Sequence, residues 1–289
     1  MGSDHHHHHA EGRHLGWALA ATASFMLIEA IGGWLTGSLA LLADAGHMLS
    51  DAGALAVALI AARLASRPPD ARQTMGYQRA EVLGAGLNAG SLLVLAMWIT
   101  VEAIGRLGEP PEVLARPMMI IAFLGLVVNL GIARMLSGHS HSINTRAAML
   151  HVLGDALGSV GALTAGGLIL WRGWTWADPV ASIMIALIIS FGASRVLREV
   201  VAVLMHAAPE GMNVPRLEQD ILAIAGVDGV HALNAWTLRP GEDVITVHIV
   251  VEGDARATTV SAGVRELLES THPGARVTVQ PEPSDSPCC

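Results

Sequence analysis

The chain contains no lysine, and all 17 of its basic residues are arginine. We read that as a compositional habit of the genome. Cysteine is almost as scarce. Cys288 and Cys289 are the only two, and they are adjacent. Neighbouring cysteines rarely pair with each other, so no disulfide framework is expected. In a cytosolic tail they read as thiolate ligands or bystanders. Charge is also sparse, at 15% of residues against 52% hydrophobic. With a mean hydropathy of +0.48, that excludes an ordinary soluble protein and implies an integral membrane protein with a modest soluble part. The net charge of −8 argues against nucleic acid as a partner. A basic segment followed by a short apolar core and a cleavage site is missing, so no secretory signal is expected.

What the chain does have is a set of six apolar stretches, near 15–36, 39–64, 82–106, 117–136, 146–171 and 177–199. Each is long enough to cross about 30 Å of hydrocarbon as a helix. The link Thr36-Gly37-Ser38 predicts a tight hairpin between the first two. Gly32, Gly33, Gly84, Gly86 and Gly90 are small enough for close helix packing. Arginines gather on one side: Arg63, Arg67, Arg72 and Arg79 after span 2, Arg134 and Arg146 around the next loop, and Arg195 and Arg198 at the end of span 6. The other side carries Arg106, Arg116 and Arg172 with Glu109, Glu112 and Asp178. The bias predicts both termini in the cytoplasm of a multi-pass protein, and the membrane expected is a bacterial inner membrane. Trp171, Trp174 and Trp176 read as an aromatic belt.

Two of these spans carry ionisable side chains in one pattern. Span 2 holds Asp44, His47 and Asp51, and span 5 holds His151 and Asp155. Each His–Asp pair is four residues apart, so both members face one side of a helix. Such groups cost roughly 2–3 kcal/mol each at membrane depth and mark function by default. Two structural His–Asp hydrogen bonds would use the same spacing. The duplication instead points to four converging ligands, and two imidazoles with two carboxylates suit tetrahedral Zn²⁺. Asp44 reads as a group in a water-filled mouth or as a carboxylate supporting His47. Glu29, Asn88 and Asn129 read as links between helices or as cavity lining. No separate nucleophile or general base accompanies the ligands, so catalysis is not expected, although zinc with an open position can activate water.

At the N-terminus, His5–His9 and His14 read as a metal-collecting tail or as a tag. From about Leu204 a soluble segment begins. Val214–Ala225 and Thr258–Ser270 read as helices, and Val230–Leu238, Val244–Val251 and Arg276–Gln280 as strands, the first two joined at Pro240-Gly241-Glu242-Asp243. The αββαβ order suggests a small α+β sandwich with its helices on one face. His231, His248 and Glu282 are candidates for a second metal site, with Cys288 and Cys289 close by in sequence. The divisions expected are a tail over 1–14, a six-helix membrane domain over 15–203, a cytosolic domain over 204–282 and a tail over 283–289.

The stretches Ser38–Asp51, Gly76–Leu83, Arg146–Asp155 and Gly229–Trp236 resemble the cation diffusion facilitator family, in particular its zinc-transporting branch. The paired HxxxD motifs are the most specific part of that likeness. The resemblance implies six membrane helices, a metallochaperone-like cytosolic domain, a homodimer and the export of Zn²⁺ in exchange for protons. His47, Asp51, His151 and Asp155 match the transport site. Histidine at position 47, where some members have aspartate, resembles the zinc-preferring subgroup. The loop Pro68–Tyr77 keeps Asp70 but has no histidine, so a metal site known from the same loop of some relatives is not expected. His231, His248 and Glu282 match cytosolic ligands, and Gln280 stands where some members have histidine. Some vesicular relatives pair a C-terminal cysteine pair with a neighbouring subunit's N-terminal histidines, a role that Cys288, Cys289 and His5–His9 would imitate.

Overall fold

The computed structural model describes residues 22–109, 111–137, 143–239, 241–252 and 254–283. The predicted tail at 1–14 lies outside them, as does all but the first residue of the tail at 283–289. Of the first predicted span, residues 22–36 are described and are helical (α1). The next five helices are α2 (Leu39–Ala65), α3 (Ala80–Gly108), α4 (Ala115–Ser137), α5 (Ile143–Arg172) and α6 (Ala177–Leu204). All five are long and apolar enough to cross a membrane. The side chains they leave outside say the same. Leu87, Val94, Met97 and Val101 on α3, and Ile188 and Phe191 on α6, are each more than 60% exposed. A solvated helix would bury such a face, and lipid has no such requirement.

By its contacts the chain divides into two compact units. One takes the described residues up to Val57 together with Leu87–Val196, and the other takes Ala58–Gly86 with the described residues from Leu197 onward. In the first unit, small residues let helices meet closely. Ala43, Ala96, Ala103, Ala186 and Ala193 are buried where α2, α3 and α6 pack, and Ala40, Ala122, Ala162 and Ala165 where α2, α4 and α5 pack.

The hairpin between α1 and α2 is tight because Gly37 adopts a φ of +72°, which costs glycine little. Three other elements hold this turn. Leu114 N–H donates to the Thr36 carbonyl at 2.9 Å. Arg106 donates to the Gly37 carbonyl at 2.7 Å. Asp178, in the first turn of α6, accepts from Ser38 Oγ at 2.6 Å and from the backbone N–H groups of Leu39 and Ala40 at 2.8 and 3.3 Å. Its carboxylate caps α2 from 140 residues away in sequence, satisfying donors that a helix start leaves without partners. At the α5–α6 link, Trp174 and Trp176 stack at 5.1 Å and the Arg172 guanidinium sits 4.3 Å over the Trp171 ring.

The second unit holds the α+β part. It runs α7 (Val214–Leu222), β1 (Gly229–Arg239), β2 (Glu242–Val250), α8 (Asp254–Thr271) and β3 (Arg276–Glu282), in the expected order. Asn213 caps α7 by accepting from Arg216 N–H at 3.1 Å, and Pro215 is tolerated because it lies in the first turn. The sheet order is β1-β2-β3, with β1 antiparallel to β2 and β3 parallel to β2. A parallel pair needs a crossover, which α8 supplies. Ile245, Val247 and Ile249 alternate along β2 and are fully buried. Leu217 and Ile221 of α7 and Val264 and Leu268 of α8 share their core, so both helices cover one face of the sheet. His248 and Thr246 take the other face.

In the same unit, the loop after α2 is organised by Asp70. One carboxylate oxygen accepts from the backbone of Arg72 and Gln73 at 2.8 and 2.7 Å, and the other from the Tyr77 hydroxyl at 3.0 Å. The Gln73 and Arg72 N–H groups, then the Tyr77 hydroxyl, hold the Asp70 carboxyl below its usual range. A depressed folded-state pKa gives a contribution that is present above the ordinary aspartate value and lost as pH falls through the lowered one.

Candidate metal centres

His47 and Asp51 lie one turn apart on α2, with His47 Nε2 3.5 Å from Asp51 Oδ2 and each side chain 28% exposed. Both line a cavity of about 740 Å³ between α2, α3, α5 and α6. Asn88 lines it from α3 and accepts from Ser50 Oγ at 3.3 Å, linking α2 to α3.

On α5, one helical turn separates His151 from Asp155. The backbone of His151 is helical, and its side chain lies outside the described residues. Asp155 is buried, 1% exposed. It does not line the cavity wall beside His47 and Asp51. α1, α2 and α5 each bury one acid, Glu29, Asp44 and Asp155. Asp44, expected at a water-filled mouth, is 4% exposed and lines the same cavity as His47 and Asp51. Its carboxylate occupies space that only glycine leaves open: a Cβ on Gly158 would come within 2.8 Å of its oxygen. Glu29 is 1% exposed, and neither of its carboxylate oxygens has a hydrogen-bond partner among the described residues.

The second candidate centre is assembled on the open face of the sheet. His231 and His248 sit opposite each other on β1 and β2, with ring centroids 5.2 Å apart. Glu282, at the end of β3, meets both: His231 Nε2 lies 3.0 Å from Oε2 and His248 Nδ1 lies 2.8 Å from Oε1. Among the described residues this is the one group of three such side chains whose donor atoms all lie within 4.8 Å of one another. Two imidazole nitrogens and a half-buried carboxylate fit a borderline divalent cation such as Zn²⁺. A bulge follows His231 directly, with Ala232 at a φ of +49°, and bulges commonly re-aim a side chain in this way. Gln280 Nε2 donates to Glu282 Oε1 at 3.0 Å, so it supports the carboxylate. Cys288 and Cys289 lie outside the described residues.

Comparison with known proteins supplies the context for both centres. Residues 17–205 match the cation efflux transmembrane domain, and residues 209–284 match the cation efflux protein cytoplasmic domain. The chain belongs to the cation efflux, or cation diffusion facilitator, family. Among its relatives is the cadmium, cobalt and zinc/H(+)-K(+) antiporter of Bacillus subtilis, 40% identical over 96% of this chain and 91% of that protein. The metal cation efflux system protein CzcD of Cupriavidus metallidurans is 42% identical over 86% of this chain and 80% of its own length. The zinc transporter ZitB of Escherichia coli is 40% identical over 96% and 90%.

In this cation efflux protein, spacing does not anticipate two features. By sequence Asp178 counts only as a charge on the side with fewer arginines, and the structure makes it the cap of α2. Glu29 reads as an interhelical link or as cavity lining, and the structure buries it to 1% exposure. The one hint of either is an acid in an otherwise apolar run.

Proposed function

We propose that this family member exports Zn²⁺ from the cytoplasm in exchange for protons, using His47, Asp51, His151 and Asp155 as the transport ligands. The observation that carries the reading is the pairing of His47 with Asp51 on the wall of a large intramembrane cavity, with the second HxxxD motif on α5. Zinc is the cargo. It meets the ligands as they lose protons, the helices rearrange, and protons arriving from the far side displace it. Imidazole suits this exchange because its ordinary pKa of about 6.5 lies near physiological pH, and metal binding to such ligands depends on pH. His47 and Asp51 on α2 and His151 and Asp155 on α5 are brought to one ion by a rearrangement of these two helices. That rearrangement is the element which alternating access would use. The test is Zn²⁺ flux through the purified protein in liposomes, with and without an imposed pH gradient.

The name of the Bacillus subtilis relative favours a second reading, a broader divalent-cation exporter that also carries Cd²⁺ or Co²⁺. Position 47 bears on it. His47→Asp should shift the preference toward Cd²⁺, and unaltered competition between Zn²⁺ and Cd²⁺ would count against a selective role for this imidazole.

In the second unit, His231, His248 and Glu282 would hold a resident zinc ion that tightens a homodimer and biases the transport equilibrium. Both termini then lie in the cytoplasm. Glu282→Gln should weaken zinc binding to this site by about 10-fold or more, read by metal analysis of the purified protein. Truncating Cys288 and Cys289 tests their contribution in the same assay: lowered zinc content supports them as ligands, and unchanged stoichiometry removes them.

A further inference from the structure

A second cavity, of about 450 Å³, lies wholly within the second unit. Its walls are the loop between α2 and α3, the residue two places beyond α6, and β1. Arg72, Gln78, Arg79, His206 and Trp236 line it, and its chemistry differs from that of both metal centres. Arg72 and Arg79 both line it, and among the described residues neither is paired with a carboxylate. The nearest acid in the loop, Asp70, is already engaged by two backbone N–H groups and the Tyr77 hydroxyl. Arg79 Nη2 donates to His206 Nε2 at 2.6 Å, while its Nε is buried with no hydrogen-bond partner, as is Gln78 Oε1. His206 is held by the edge of the Trp236 ring, with centroids 5.8 Å apart.

A buried guanidinium donor without a partner, as at Arg79 Nε, is costly, and a planar guanidinium matches phosphate oxygens. The cavity also sits where apolar helices stop. Arg72 and Arg79 lie between the end of α2 at Ala65 and the start of α3 at Ala80, and His206 follows α6 by two residues. Basic pockets at such a boundary are suited to anionic head groups. We propose that this cavity binds a phosphate-bearing anion through Arg72 and Arg79, with Trp236 as its apolar wall. Either a lipid head group or a soluble phosphate has the required chemistry, and the level of the site at the helix ends favours the head group.

The test is native mass spectrometry of the full-length protein in detergent, titrated with short-chain phosphatidylglycerol, short-chain phosphatidylcholine or inorganic phosphate. The glycerol lipid should bind about 25-fold more tightly than the choline lipid, at about fivefold for each arginine. Arg72→Gln should lose about fivefold, and Arg67→Gln, whose side chain does not line the cavity, less than about twofold. Competition by inorganic phosphate would identify a site open to soluble phosphates, and binding of the glycerol lipid alone would identify a head-group site. Equal binding of the two lipids would overturn the proposal. So would an Arg67→Gln loss as large as that of Arg72→Gln, which would show a diffuse positive field in place of a site. Arg79→Gln also breaks the contact with His206. If that variant does not fold, Arg72→Gln decides alone, because its side chain makes no hydrogen bond or ion pair among the described residues.

Discussion

Asp51→Ala and Asp155→Ala are each expected to reduce zinc flux in proteoliposomes by more than about 100-fold. Removing a group that merely supports a metal ligand costs up to about that much, so losing a ligand should cost more. The two variants differ in what they do to the fold. Asp51 is a partly exposed cavity residue, and its truncation leaves packing nearly untouched. Asp155 is buried, 1% exposed. Its truncation removes a buried group that has an interaction of its own, so Asp155→Ala should melt earlier than Asp51→Ala, and both should lose flux. Thermal unfolding in detergent, measured beside flux, separates loss of a ligand from simple damage. Normal proton-driven flux in either variant would remove the assigned residue from the site.

Asp178→Ala is expected to destabilise the protein by roughly 3 kcal/mol, since it strands the donors of Ser38, Leu39 and Ala40 in a buried setting. Ser38→Ala deletes only one of those bonds and should cost about 1 kcal/mol. The effect should also reach the transport site, because the capped helix carries His47 and Asp51 about two to three turns further on. Equilibrium unfolding of the variants in mixed micelles gives the comparison. A loss for Asp178→Ala no larger than that for Ser38→Ala would mean the cap is not holding α2.

Some of this was legible before any coordinates. Helix length and apolar runs located the spans, because a bilayer imposes both. The four-residue spacing put His47 beside Asp51 because a helix turn is a local fact. The αββαβ order followed from strand alternation and turn residues. The rest depends on contacts between distant segments. No spacing reveals that Asp178 reaches the start of α2, 138 to 140 residues away in sequence. Nor does it show that Glu29, Asp44 and Asp155 are all buried, which helix packing decides. Glu282 meets both histidines because β3 lies parallel to β2 with Glu282 level with Val250, and a register between strands separated by a helix is not written in either strand alone.

The central claim is proton-coupled zinc export. Its most direct test is Zn²⁺ flux through the purified protein in liposomes, with the pH gradient imposed in one direction, abolished and then reversed. The account predicts that Zn²⁺ moves toward the acidic side, reverses with the gradient and collapses when a protonophore is added. Zinc flux that ignores the sign of the gradient, or no flux at any gradient, would contradict it.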